Sequence, residues 1–346
     1  MRHKRRLHRR ELKRQRKIIV TSLFIVLLCL SFGYAAFSTN INLTAKGNVY
    51  KVSDKCYTTS DNGDGTVTIT DYDEKCGSEI SIPSIIKGHP VTKIGDVAFY
   101  KRKLTSITFP ETLIYIGKSS FESNELTSLE IPSSVKTIGG FAFRHMNIHT
   151  LILHEGLQKI GTDAFQDNYI TEINIPKSVT YLGGGSFVAN SVTGDDAFIY
   201  DRNEDGSINY TKLNSYAGKD ATGTQIPDTV TSLAPEAYYL VRYEEINIPS
   251  RIKIIPELCF NYTGARKITL PEGLEEIDAG AFGYTNAETI DIPSTVTFIS
   301  NTAFSCYWEG CANTTLKTIN VNKKSGSLGG TPWGATNATI NWTGTN

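Results

Sequence analysis

Apolar and polar positions along this chain recur with a fixed period of 22 residues. Each period is marked by a proline that follows Ile, Phe or Leu: Pro110, Pro132, Pro176, Pro227, Pro249, Pro271 and Pro293. His154 takes the proline slot between Pro132 and Pro176. The text around the marks is nearly constant, as in Leu126–Phe143 (LTSLEIPSSVKTIGGFAF) and Ala287–Phe304 (AETIDIPSTVTFISNTAF). The shared template is L-x-x-I-x-I-P-x-x-V-x-x-I-G-x-x-A-F. Copies begin near Lys103, Glu125, Asn147 and Tyr169 and resume near Ala221. A repeat of this length predicts a solenoid, in which each coil buries its apolar side only against its neighbours. The L-x-x-I-x-I part alternates, which predicts a strand with one buried face. Proline ends that strand by removing a ladder donor. V-x-x-I returns along the opposite side of the coil. The glycines (Gly95, Gly117, Gly139, Gly161, Gly183) are expected to permit a tight bend. The A-F pair should then drive a ring into the stack from a short turn or helix.

The period breaks between Pro176 and Pro227, which lie 51 residues apart, one repeat plus 29. The extra text, NSVTGDDAFIYDRNEDGSINYTKLNSYAG, is polar with strand-like runs on either side of a turn. It reads as a hairpin excursion on the edge of the solenoid, an insertion near 190–223. A second, shorter insertion (FSCYWEGCANTTL) precedes the last coil. Residues 38–79 read as a linker and an N-terminal cap hairpin around a Gly-Asp-Gly turn. The solenoid proper spans 80–322, and 323–346, with Trp333 and Trp342, reads as a C-terminal cap.

The formal charge of zero hides an asymmetry. Residues 1–37 contain ten Lys/Arg and one Glu, leaving 25 basic and 34 acidic residues elsewhere. Such an acidic body is repelled by phosphate backbones, which excludes nucleic acid as a partner. The basic residues, a head over 1–17, precede twenty uncharged residues at 18–37 (IIVTSLFIVLLCLSFGYAAF), long enough to cross a bilayer as one helix. The positive-inside rule then keeps the N-terminus cytoplasmic and the repeats outside, as a single-pass protein of the cell membrane. Gly33-Tyr34-Ala35 also fits a signal-peptidase site, so secretion after cleavage is the competing fate.

The I-P-x-x-V-x-x-I-G-x-x-A-F core resembles the Treponema-type (BspA-like) leucine-rich repeats of bacterial surface proteins. The likeness covers about residues 78–322. It implies a leucine-rich-repeat solenoid, mainly β with short turns or helices, on the cell surface, where it binds a protein or glycan. Adhesion is the leading expectation. A structural envelope component without a dedicated ligand is the alternative, and an enzyme delivered to its substrate by the repeats is the third reading. No catalytic residues and no cofactor are expected, because nearly every residue between the caps belongs to a coil or a short insertion.

Asp201, Asn203 and Asp205 reproduce the first three ligand positions of a calcium loop, but the twelfth position, a bidentate Glu in such loops, is Lys212. The plain turn is therefore the expectation and calcium the weak alternative. His145, His149 and His154 show no metal-ligand spacing. Cys56 with Cys76, and Cys306 with Cys311, are expected to form disulfides, whereas Cys259 takes the Ala slot of an A-F pair as a buried thiol. Because the buried letters repeat, contact residues should lie among the exposed ones of the strand face: His149, Ile152, Glu172, Glu244, Arg266 and Glu288. Stacking places Glu244, Arg266, Glu288 and Lys317 in one column and Glu245 beside Lys267, so part of this charge should neutralise itself.

Overall fold

The computed structural model describes residues 54–219, 226–305 and 315–344. The basic head, the apolar segment 18–37 and the pair Cys306/Cys311 lie outside the described residues. Among the described residues no helix is long and apolar enough to cross a membrane.

The coils stack through two sets of parallel strands. On one side the L-x-x-I-x-I segments pair in short blocks: Ser128–Ile131 with Thr150–Leu153, Glu245–Asn247 with Lys267–Thr269, and Thr289–Ile292 with Thr318–Val321. On the other side V-x-x-I gives strands of only two residues in every coil after the first, where the strand is six residues long. They nevertheless form the longer ladder, running His89–Ile94, Tyr115–Ile116, Thr137–Ile138, Lys159–Ile160, Tyr181–Leu182. The two-residue length follows from the template, since proline precedes the segment and the glycine turn follows it.

The turn that carries A-F contains no helix. Short 3-10 segments occur at Asp54–Cys56, Glu74–Cys76 and Gly194–Ala197, all outside the coils. The A-F turn instead builds a third inter-coil ladder. Val97, Phe99 and Lys101 donate their N–H groups to Lys118, Ser120 and Glu122 of the next coil, and Phe141, Phe143 and His145 do the same to Thr162, Ala164 and Gln166. The first and third residue of each such set has positive φ: Val97, Phe141 and Asp163 in one slot, Lys101, His145 and Asp167 in the other. Glycine is thus absent from most positions that would favour it. The glycine four residues before each ring from Phe99 to Phe187 has a different task, and in the later coils that slot holds Ala234, Pro256, Asp278 and Ser300. A Cβ on Gly139 would lie 2.6 Å from Lys118 N, and one on Gly117 2.6 Å from Gly95 C. The expected tight bend is therefore a close approach of neighbouring coils, which only a missing side chain permits.

Inside the turns, fully buried rings form a stack. Tyr72, Phe99, Phe121, Phe143, Phe165 and Phe187 follow one another with centroids 4.8–5.5 Å apart. A second stack runs Tyr216, Tyr238, Phe260, Phe282, Phe304. Each ring removed from water contributes about 2–3 kcal/mol. Buried asparagines close the polar side of the turn. Asn168 accepts the N–H of Ile148 and donates to the carbonyls of Phe143 and Phe165, and Asn124 and Asn190 repeat this. These side chains satisfy backbone groups that burial would otherwise leave unpaired.

Both ends are covered. Strands Tyr57–Asp61 and Val67–Tyr72 form an antiparallel hairpin, and the second of them pairs in parallel with His89–Ile94 as the first rung. The disulfide Cys56–Cys76 closes this hairpin, as expected. At the other end, Thr339–Trp342 adds a parallel strand to Thr318–Val321, and buried Trp333 accepts the N–H of Phe304 through its carbonyl.

The insertion departs from the expected edge excursion. Its strands Phe198–Arg202 and Ile208–Tyr216 do pair as a hairpin, but the second strand turns into the stack. Lys212 and Leu213 pair in parallel with Ser232 and Leu233. Gly185 N–H donates to the Asn214 carbonyl and Tyr216 N–H to the Ala237 carbonyl. Leu213, Asn214 and Ser215 are fully buried. Towards the preceding coil no backbone ladder forms with Tyr181–Leu182; the Asn214 amide bridges instead to the carbonyls of Leu182 (3.3 Å) and Gly183 (2.9 Å). The insertion therefore supplies an extra rung, and the two clusters of the hydrophobic core meet there.

Candidate binding surfaces

The exposed strand-face residues fall into two groups. In the N-terminal coils, His149 lies just before strand Thr150–Leu153, and its ring stacks on Tyr169 at 5.4 Å. Lys219, returning from the insertion, sits 3.7 Å above the same Tyr169 ring. Ile152 is 42% exposed opposite Glu130. Glu172 is exposed and accepts from Asn174 at 2.9 Å. His149 is thus joined to an aromatic neighbour that the sequence reading passed over. Tyr169 opens a copy of the template, and only the stacked geometry reveals the pairing.

The C-terminal group is the charged column. Glu244, Arg266 and Glu288 are exposed, and Arg266 N–H donates to the Glu244 carbonyl. The ion pairs fall between Lys317 and Glu288 at 2.7 Å and between Lys267 and Glu245 at 3.5 Å. Such exposed pairs contribute about 0–1 kcal/mol each, so they set charge more than stability.

The calcium alternative does not assemble. Asp201 is taken by Lys212 at 2.7 Å, the residue that replaces the expected glutamate. Asp205 caps Ser207 through its N–H (2.9 Å) and hydroxyl (2.6 Å), and Asn203 donates to the same hydroxyl, so both serve the turn. No group of three His, Cys, Asp or Glu residues is placed to hold a metal among the described residues. Ser186, in an alanine slot, is buried and donates to Asn214 at 2.9 Å. Cys259 is a free, buried thiol, and burial pushes its pKa up, which makes it unreactive.

A buried carboxylate, Asp163, faces the half-buried Glu236 at the seam. Asp163 and Glu236 occupy the same left-handed slot of coils on either side of Gly185, which has no side chain to separate them. Burial raises the Asp163 pKa well above the usual carboxylate range, and a hydrogen bond to Glu236 adds to the rise. Nearby Asp167 shifts the other way, held low by its hydrogen bond to His145 and by Lys219.

The array also has concave places. A groove of about 450 Å³ runs beside Phe109, Pro132 and the His154–Glu130 pair, whose atoms are 2.8 Å apart. A larger one, about 910 Å³, opens between the insertion hairpin and the coils that follow it, lined by Phe198, Tyr200, Tyr210, Pro227, Asp228 and Pro249 among others.

No curated protein sequence matches this chain. Among solved structures, the pneumococcal vaccine antigen PcpA superposes with a TM-score of 0.56 at 20% identity, over 77% of this chain and 79% of that one. A leucine-rich repeat protein from Eubacterium ventriosum does so with a TM-score of 0.51 at 23% identity, over 84% of this chain and 77% of that one. These likenesses establish the fold. The sequence model of the BspA type leucine rich repeat region matches in six copies, over residues 70–193 and 207–308. That is more than half of the chain, and the second matched block takes in the insertion strand that joins the stack. By its repeats and by the coils they build, this chain belongs to the BspA-type leucine-rich-repeat family.

Proposed function

We propose that the chain is displayed on the outside of a cell, anchored through residues 18–37 with the N-terminus inside, and binds a protein or glycan partner for adhesion. One observation carries this reading. The inward letters repeat from coil to coil and are spent on rings, glycines and asparagines, so selectivity must reside in the outward letters and the insertion. The proposed surface comprises His149, Ile152 and Glu172 in the N-terminal coils and Glu244, Arg266 and Glu288 in the C-terminal ones. The family and the fold shared with PcpA, a vaccine antigen by its description, support an external position.

A second reading, a structural envelope component, draws on the self-paired charges at Glu288–Lys317 and Glu245–Lys267, which leave less free charge for a partner. External protease on intact cells producing the full chain tests the display. Digestion of the repeats with a small N-terminal fragment left behind is expected. Protection of the whole chain contradicts it, and a released product starting near Ala36 shows cleavage instead of anchoring. The double variant His149→Ala with Ile152→Ala should weaken attachment of such cells while leaving the melting temperature nearly unchanged. Attachment unaffected by this variant and by changes in the insertion would favour the structural component.

A further inference from the structure

The larger groove exists because the repeat is broken, and its shape comes from one irregularity. Along the insertion hairpin, Tyr200 pairs with Leu213 and Asp201 with Asn209. The three residues between, Tyr210, Thr211 and Lys212, have no backbone register partner on strand Phe198–Arg202. Lys212 is drawn instead into pairing with Ser232. A bulge of this kind bends the strand and re-aims a side chain. Here it turns out Tyr210, whose residue is 55% exposed and whose ring meets Tyr200 edge-on at 5.1 Å. A regular coil has no equivalent of these two rings.

The rim determines what the rings can receive. Asp195 and Asp228 are exposed carboxylates on opposite sides of the groove. The cation within the lining, Arg251, is held by the wall: its guanidinium donates to the carbonyls of Val230 (2.8 Å), Ile226 (2.6 Å) and Pro227 (3.0 Å). Its Nη2 also lies 3.8 Å from the Asp228 carboxylate, so its charge is turned towards that carboxylate and the wall carbonyls. The groove thus offers tilted aromatic faces beside hydrogen-bond acceptors, and with Arg251 set against Asp228 its lining keeps one net negative charge, that of Asp195. That balance disfavours phosphates, sulfates and carboxylate sugars relative to neutral ones. A ligand with apolar C–H faces and many hydroxyl donors suits it, because ring faces attract polarised C–H groups and carboxylates accept hydroxyl protons. The volume of about 910 Å³ is near the upper end for a small-ligand site, enough for more than one sugar ring.

We propose that this groove is a subsite for neutral oligosaccharides, with Tyr210 and Tyr200 as the platform and Asp195 and Asp228 accepting from sugar hydroxyls. The proposal rests on reading the chain as a surface binder and narrows the partner to a glycan. It is tested on the purified full-length chain in detergent by calorimetry and saturation-transfer NMR. The probes are cellotetraose, maltotetraose, mannotetraose and tri-N-acetylchitotriose, with sialyllactose as the anionic comparator. At least one neutral probe should bind. Tyr210→Ala should weaken it about tenfold or more, Tyr210→Phe should keep most of the affinity because the ring remains, and Asp228→Asn should weaken it several-fold. The exposed position of Tyr210 leaves the core intact, and an unchanged melting temperature checks this. No binding of any neutral probe, equal binding of sialyllactose, or indifference to Tyr210→Ala overturns the proposal. If no sugar binds while cell attachment still depends on His149 and Ile152, the glycan subsite fails and the adhesive reading stands.

Discussion

At Gly139 the missing side chain matters more than backbone freedom. Alanine there would press a Cβ against Lys118 N and the Gly117 backbone, and neither can move without shifting a coil. Gly139→Ala should therefore cost at least the ~1–3 kcal/mol typical of overpacking. Gly63, with φ of 80° and no atom near its Cβ direction, should cost only about 1 kcal/mol as alanine. Urea denaturation of the two variants checks the order, and equal losses would mean that the coils can relax. The letter G is legible in the repeat, but its cause is not, because spacing along the chain does not reveal which backbone passes beside it. Asp163 is a case the repeat does not mark at all. Its neutral form is favoured in the fold, so its contribution is complete below about pH 4 and is lost as pH rises through the raised folded value. Asp163→Asn keeps a donor for Glu236 and carries no charge. Its stability advantage over the parent should be small near pH 4 and widen towards pH 8. Asp167, which shifts in the opposite sense, is common to both chains and cancels. A gap that stays constant with pH would show that Asp163 is not buried against Glu236.

Among the elements, the insertion strand Ile208–Tyr216 is where sequence and structure part. Its ring escapes the template because the turn is two residues shorter. Phe187 and Tyr238 lie five residues after Leu182 and Leu233, whereas Tyr216 lies three after Leu213. The polar text NSY then resembles a loop, yet Asn214 and Ser215 are polar because they serve backbone and side-chain partners inside the stack. Leu213→Ala should cost about 2–5 kcal/mol, as for any fully buried leucine. An edge excursion would lose less than about 0.5 kcal/mol, in the range of surface substitutions. By contrast, the cap hairpin and its Cys56–Cys76 bridge were legible, since two cysteines flanking alternating strands and a glycine turn leave a short loop to close. Removing that bridge should cost about 3 kcal/mol through the freed chain.

For the molecule as a whole, the period of 22 residues specifies the stack, because each coil needs only its neighbours. It leaves the outward surface unspecified, and the residues of the proposed binding surface are legible only as exposed. The groove was not legible, since it depends on a bulge that aims Tyr210 out of a strand and on coils brought beside it by the extra rung. Hydrogen exchange on the full-length chain, with and without the neutral oligosaccharides, tests both halves of this account at once. Amides of Leu213–Tyr216 should exchange as slowly as those of the neighbouring coils in either state, and ligand should slow exchange around Ile208–Thr211 and Pro227–Thr229. Rapid exchange at Leu213–Tyr216, or ligand protection confined to the strand face at Ser128–Ile131 and Thr150–Leu153, would contradict it.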